Sequence, residues 1–138
     1  MFNFTNILRR TDSNNCGILA LEVIAQYYKL PVKYKEIKSQ VFIDKRGINL
    51  LSLLNAAEKI GFSAKGVKGP YDAIRSINLP AIAHIETREG INHFVVLQKW
   101  DNNDVVVIDY DNGVRQQSRA EFCSYWTGYL LVLELKNL

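Results

Sequence analysis

Two cysteines and two histidines occur in this chain of 138 residues, so only a few combinations could run thiol chemistry. Cys16 stands directly before Gly17 in "NNCGILALEVIAQYY", where a helical hydrophobic pattern begins. A thiol in the first turn of a helix meets the positive end of the backbone dipole and several unpaired N–H groups. Both favour the thiolate, the form that attacks carbonyls. Gly17 carries no side chain, which predicts room for a substrate backbone beside the sulfur. The structural alternative is that Cys16 is a small core hydrophobe, since free cysteine is among the most buried residue types.

A cysteine nucleophile needs a base. His93 opens "HFVVLQKW" immediately after the loop "REGIN", a strand-edge position from which an imidazole can face a cleft. His84 lies inside "PAIAHIE", where alternation predicts a packed or solvent-facing strand residue, so His93 is the favoured base. The base needs an orienting group on its other ring nitrogen, usually Asp or Asn. Asp109 ends the apolar run "VVVI", where a carboxylate is costly unless something pairs with it. Asp111 and Asn112 compete for that role, but "DNG" reads as a turn. Parity adds a condition. If "DNND" makes a symmetric hairpin loop, Trp100 faces Val105, and His93 and Asp109 fall on opposite sheet faces. The pairing of His93 with Asp109 therefore predicts an odd loop or a bulge between them. The cysteines and histidines lack close ligand spacing, so no metal and no cofactor are expected.

These side chains must be held by elements, and the hydrophobic period supplies a map. Leu21, Ile24 and Tyr28 mark one face of an amphipathic helix from Cys16 to about Tyr28, ended before Pro31. A short second helix is predicted over "YKEIKSQ". In "GINLLSLLNAAEKIGF", Asn49 caps a third, with Leu50, Leu53, Leu54, Ala57 and Ile60 on one face and Gly61 closing it. After a helical turn near "PYDAIRS" the pattern becomes β: "LPAIAHIE", "HFVVLQKW", "DVVVIDY", "GVRQQ" and "GYLLVLEL". Ser118 with Glu121 forms a capping box that starts a helix over about Arg119 to Tyr125. Helices first and an antiparallel sheet after is α+β: a single domain over 1–138, helical to about 78 and sheet from about 79.

Composition narrows the function classes. With 48% hydrophobic and 22% charged residues, the chain is of ordinary globular make-up. The net charge of +3, from 17 basic against 14 acidic residues, is scattered without a basic block, which argues against nucleic acid as a partner. The apolar runs fall far short of the ~20 residues of a membrane span. Two thiols without a signal peptide predict reduced cysteines in a cytoplasmic setting. Cys123, Trp100, Trp126, Tyr27 and Tyr28 are expected to be packing residues, Cys123 a core filler.

The order of "TDSNNCGILALEVIAQYY", "RGINLLSLLNAAEKIGF", "LPAIAHI", "HFVVL", "VVVIDYDNG" and "EFCSYWTGYLLVL" resembles the bacteriocin-processing cysteine peptidases. These are papain-like domains at the N-terminus of peptide-exporting ABC transporters that remove leader peptides after a double glycine. The resemblance covers nearly the whole chain. It implies a papain-like fold, with Cys16 as nucleophile, His93 as general base and Asp109 as the orienting acid. It further implies a peptide precursor with a double-glycine leader as substrate, and the membrane and nucleotide-binding domains of an ABC transporter as partners. The location implied is the cytoplasmic side of the bacterial inner membrane.

Three positions depart from the family pattern. Arg10 stands where a glutamine, six residues before the nucleophile, helps to bind the oxyanion. Asn15 replaces an aspartate, and Tyr110 a proline. Losing one oxyanion-hole donor typically costs ~10²–10³ in turnover. Arg10 still has donors, but its longer side chain needs a different geometry to aim them. That substitution motivates a second reading, a domain of the same fold that binds a leader peptide or docks to a transporter without cleaving.

Overall fold

The computed structural model describes residues 15–43, 48–88, 90, 92–109 and 112–136. Helix α1 (Cys16–Tyr27) lies at the centre, and every residue from Cys16 to Ala25 is buried. The expectation of a one-faced amphipathic helix is corrected here. A helix covered on all sides must be apolar on all sides, and α1 packs on the sheet, on α2 (Tyr34–Lys38) and on α3 (Leu50–Ile60). Its buried charge, Glu22, accepts the backbone N–H of Tyr34 at 2.9 Å and so ties α1 to the first turn of α2. In α3, Asn49 accepts the N–H of Ser52 at 2.8 Å, and Gly61 leaves the helix at φ +124°, a conformation that favours glycine.

Six strands form one antiparallel sheet in the order β1–β6–β2–β3–β4–β5. They are β1 (Phe62–Lys68), β2 (Ala81–Glu86), β3 (Asn92–Trp100), β4 (Asp104–Asp109), β5 (Gly113–Ser118) and β6 (Trp126–Leu135). β1 falls inside the stretch that the sequence assigned to helices. Lys65, Gly66 and Lys68 are poor strand residues, yet the segment pairs as an edge strand with β6, from Phe62 opposite Leu135 to Lys68 opposite Tyr129.

The strands bury both faces. On one, Ile82, Phe94, Val96, Ile108, Leu131 and Leu133 join the core of α1–α3. On the other, Ile85, Val95, Leu97, Val105, Val107 and Leu130 meet the 3₁₀ helix Tyr71–Ser76 and the short helix α4 (Arg119–Cys123). Ser118 caps α4 by accepting the N–H of Glu121 at 3.1 Å, and the helix stops two residues earlier than expected. Cys123 is exposed rather than a core filler, because α4 inserts Phe122 into the core and the next residue around the helix then points outward. Tyr27 is likewise largely exposed, its ring edge-on to the half-buried Tyr28. Among the described residues no helix is long and apolar enough to cross a membrane.

The β3–β4 hairpin settles the parity question. Trp100 does face Val105, and Asp101 Oδ1 accepts the N–H groups of Asn103 and Asp104, each at 2.8 Å, which holds the turn. Between Leu97 and Lys99 the register shifts: Lys99 faces Val106, but Leu97 faces Val107. Gln98 is the extra residue of a β-bulge. Beyond it, His93, Val95, Val107 and Asp109 share one face.

Candidate active site

The bulge brings the imidazole to the carboxylate. His93 Nε2 lies 3.1 Å from Asp109 Oδ1, and the two side chains are only 12% and 14% exposed. Asn112 holds the carboxylate from its other side, donating its side-chain N–H to Asp109 Oδ2 at 3.1 Å and its backbone N–H to the Asp109 carbonyl at 3.2 Å. The Cys16 side chain lies near enough to the ring of His93 to raise its pKa. With Nε2 engaged by Asp109, Nδ1 is the nitrogen left for the sulfur. Burial disfavours a charged ring here. The hydrogen bond to Asp109 and the pull of the Asp109 and Cys16 side chains outweigh that penalty and push the His93 pKa up to about 10. The ring therefore holds a proton near neutral pH, and a carboxylate-steered imidazolium faces the Cys16 sulfur.

Cys16 is the first residue of α1, 8% exposed. Asn15, at the N-cap, makes no side-chain cap hydrogen bond. Arg10, Tyr110 and Asp111 lie outside the described residues.

The expectation for Gly17 is corrected. A Cβ there would sit 3.3 Å from Leu53 Cδ1 and 3.3 Å from Phe94 Cδ2, so the space beside this glycine is filled by core side chains. Its missing side chain lets α1 approach β3 closely, which brings Cys16 to the strand that carries His93; it does not open a substrate path.

His84 stays out of this group. Its Nδ1 lies 2.9 Å from Thr127 Oγ1, its ring packs against Phe94, and burial lowers its pKa.

Three residues enter the site in ways the sequence reading did not assign. Gln98 was visible only as a parity requirement. Asn112 was read as a turn residue, and it is one, but the same turn folds its side chain back onto Asp109. Gln117 follows Arg115 on the same face of β5, and both line a cavity of about 360 Å³ that opens beside His93 and Asp109.

A thiol at a helix start, beside an imidazole that a carboxylate orients from an antiparallel sheet, defines the papain-like class of cysteine peptidases. Within that class, the family model described as the Peptidase C39 family matches residues 5–137, and the chain belongs to that family. The chain is similar to the pediocin PA-1 transport/processing ATP-binding protein PedD of Pediococcus acidilactici, with 26% identity over 128 residues. That match covers 90% of this chain but only 18% of the relative. Among solved structures, the peptidase domain of Streptococcus ComA, a bifunctional ABC transporter of a quorum-sensing pathway, superposes with a TM-score of 0.83. It shares 25% identity, over 92% of this chain and 96% of that one. A double glycine motif protease from an AMS/PCAT transporter, in complex with its leader peptide, gives 0.83 at 26% identity, over 92% and 89% of the two chains.

Proposed function

We propose that this chain is a cysteine endopeptidase that removes the leader of a secreted peptide precursor by cutting after a Gly-Gly pair. The observation that carries the reading is His93 held at 3.1 Å from Asp109 and within electrostatic reach of Cys16. Cys16 attacks the carbonyl of the second glycine as a thiolate. The N–H groups of the first turn of α1, where Asn15 makes no side-chain cap hydrogen bond, are the donors this reading assigns to the developing oxyanion. Collapse of the tetrahedral species breaks the C–N bond, and His93 gives its proton to the departing amine. A water molecule then loses a proton to His93 and adds to the thioester. Its collapse releases the leader as a carboxylic acid and returns Cys16. The double-glycine specificity is taken from the leader-bound relative. Its kinship with transporter proteins supports work at the cytoplasmic side of the bacterial inner membrane, as the N-terminal part of a peptide-exporting ABC transporter, with that transporter's membrane and nucleotide-binding domains as partners.

The purified chain, incubated with a synthetic precursor bearing an amphipathic leader and Gly-Gly, is expected to cleave after the second glycine. Cys16→Ala is expected to lower that rate about 10⁴-fold or more, read by mass spectrometry of the products. Binding of the leader without cleavage by the unaltered chain would instead make this a non-cleaving docking domain, the outcome that Arg10 in place of the oxyanion glutamine would explain.

A further inference from the structure

The segment that joins α1 to α2 alternates. Leu30, Val32 and Tyr34 turn inward and pack on the core of the helices, whereas Lys29, Pro31, Lys33 and Lys35 are exposed. In α2 only Ile37 is buried, so Lys38 stays outside with Lys35. Lys59, exposed in the last turn of α3, adjoins them: a Cβ on Gly61, which closes that helix, would sit 3.6 Å from Leu30 Cδ1. The result is a ridge of lysines along the outside of the helical layer.

Little on the ridge offsets its charge. Glu36 is exposed there, but Glu58 is engaged elsewhere, accepting the N–H of Ala64 at 2.6 Å and pairing with Lys136 at 3.4 Å. Five lysines against Glu36 leave a net charge of +4, where the whole chain carries +3. The remainder of the chain is therefore net negative, and folding gathers a charge that residue order scatters. One of the five is held at a conformational cost. Lys29 has φ +62°, a left-handed backbone that suits glycine better than a residue with a Cβ. That conformation closes α1, with the N–H of Leu30 donating to the Ala25 carbonyl at 2.9 Å.

Two exposed aromatic side chains flank the ridge. Tyr27 precedes Lys29, and Phe42, 71% exposed, follows Lys38. Ammonium groups beside exposed rings match a bilayer surface, where the charges meet anionic headgroups and the rings reach the boundary with the acyl chains. Lysines are compact point charges, suited to a diffuse layer of phosphates rather than to bidentate recognition of one group. A soluble polyanion would use the charge and leave Phe42 in water.

We propose that this ridge seats the domain on a membrane surface bearing anionic phospholipid, with Lys29, Lys33, Lys35, Lys38 and Lys59 against lipid phosphates and Tyr27 and Phe42 at the headgroup boundary. Cys16 and Tyr27 are the two ends of α1, about 17 Å apart along its axis, so the end of the helix that carries the sulfur is not the end that meets the lipid. The inference does not depend on cleavage.

Co-sedimentation with vesicles tests it, using phosphatidylcholine alone or mixed with phosphatidylglycerol. The chain is expected to bind the mixed vesicles at least about tenfold more tightly than the neutral ones, and to release them in high salt. Replacing Lys33, Lys35 and Lys38 together by Gln is expected to weaken binding about 100-fold, at roughly fivefold per lysine. Phe42→Ala is expected to weaken it about fivefold. Removing the same charge from the sheet, with Lys65→Gln, Lys68→Gln and Lys99→Gln, should change it less than about fivefold in all. Lys29→Gly serves if the triple variant folds poorly: glycine suits φ +62°, so binding should fall about fivefold while the melting temperature does not drop. Equal binding to both vesicles, an equal loss in the sheet variant, or unchanged binding by Lys29→Gly would overturn the proposal. Unchanged binding by Phe42→Ala would also overturn it, in favour of a soluble polyanion such as nucleic acid or an acidic protein. Cleavage of a leader-Gly-Gly-aminomethylcoumarin is scored separately, and its failure would bear on the peptidase reading alone.

Discussion

The two faces of the sheet are treated differently. The face under α1–α3 is filled: Ile18, Leu21, Ile24, Leu53 and Ile82 are fully buried, and even Gly17 has core side chains at van der Waals contact. The other face is roofed only by the 3₁₀ helix and α4, and the uncovered part is the cavity beside His93 and Asp109. The chemistry sits at the border between them. Cys16 arrives with the filled side, and the imidazole and carboxylate turn toward the open side. The contrast teaches that the first face fixes where the sulfur is, and the second leaves the imidazole and carboxylate beside open space.

The largest disruption expected within the sheet comes from deleting Gln98. Without the extra residue, the start of β3 must either flip, sending His93 to the filled face and Val95 into the wrong core, or slip against β2. Cleavage is expected to fall to the level of Cys16→Ala, with a lowered melting temperature by circular dichroism. A fully active, equally stable deletion would show that the bulge does not align the pair.

Asp109→Asn is expected to cost about 10²–10⁴ in kcat, because the ring loses the charge that steers it and favours its protonated form. A pH effect accompanies it. His93 is raised from its ordinary value of about 6.5 to about 10 in the folded chain. A raised folded pKa adds stability that is fully present below about 6.5 and is lost as the pH climbs through about 10. The parent's melting temperature should therefore decline from neutral pH toward pH 10, and in Asp109→Asn that decline should be shallower. Parallel melting curves across pH would remove Asp109 as the cause.

Gly17→Ala probes the filled side. The added methyl group meets Leu53 and Phe94, which are 0% and 2% exposed and have little room to give. The net cost expected is about 1–3 kcal/mol after overpacking, by urea denaturation. Activity should fall further than stability alone explains, since α1 must move away from β3. The smallest effect is expected from Asn112→Ala. Its hydrogen bond to Asp109 Oδ2 is exposed, so a roughly two- to fivefold loss in kcat with little change in KM is anticipated.

Much of this arrangement can be read from residue order because its determinants are local. Asn49 and Gly61 bound α3 as their types require, and the Ser118–Glu121 box starts α4. β2, β3, β4 and β6 read as apolar runs between turn residues, as strands covered on both faces do. What escaped depended on partners distant in sequence. β1 is a strand because β6 offers it an edge, against the preference of its own lysines and glycine. Gly17 seemed to offer space because nothing nearby in sequence tells that Leu53 and Phe94 fill it. The parity of the hairpin lay between these cases: the loop was even, and the demand for one surplus residue was met three positions before it, at Leu97–Lys99.

Because Gly17 brings the helix and strand into contact, the reacting pair is shared between two layers that no covalent link near the site holds together. Turnover should then report on their registration: warming or mild urea that loosens α1 from β3 would silence the enzyme while the sheet still gives an intact circular dichroism signal. Any partner that presses those layers together would, for the same reason, act as an activator without touching the substrate.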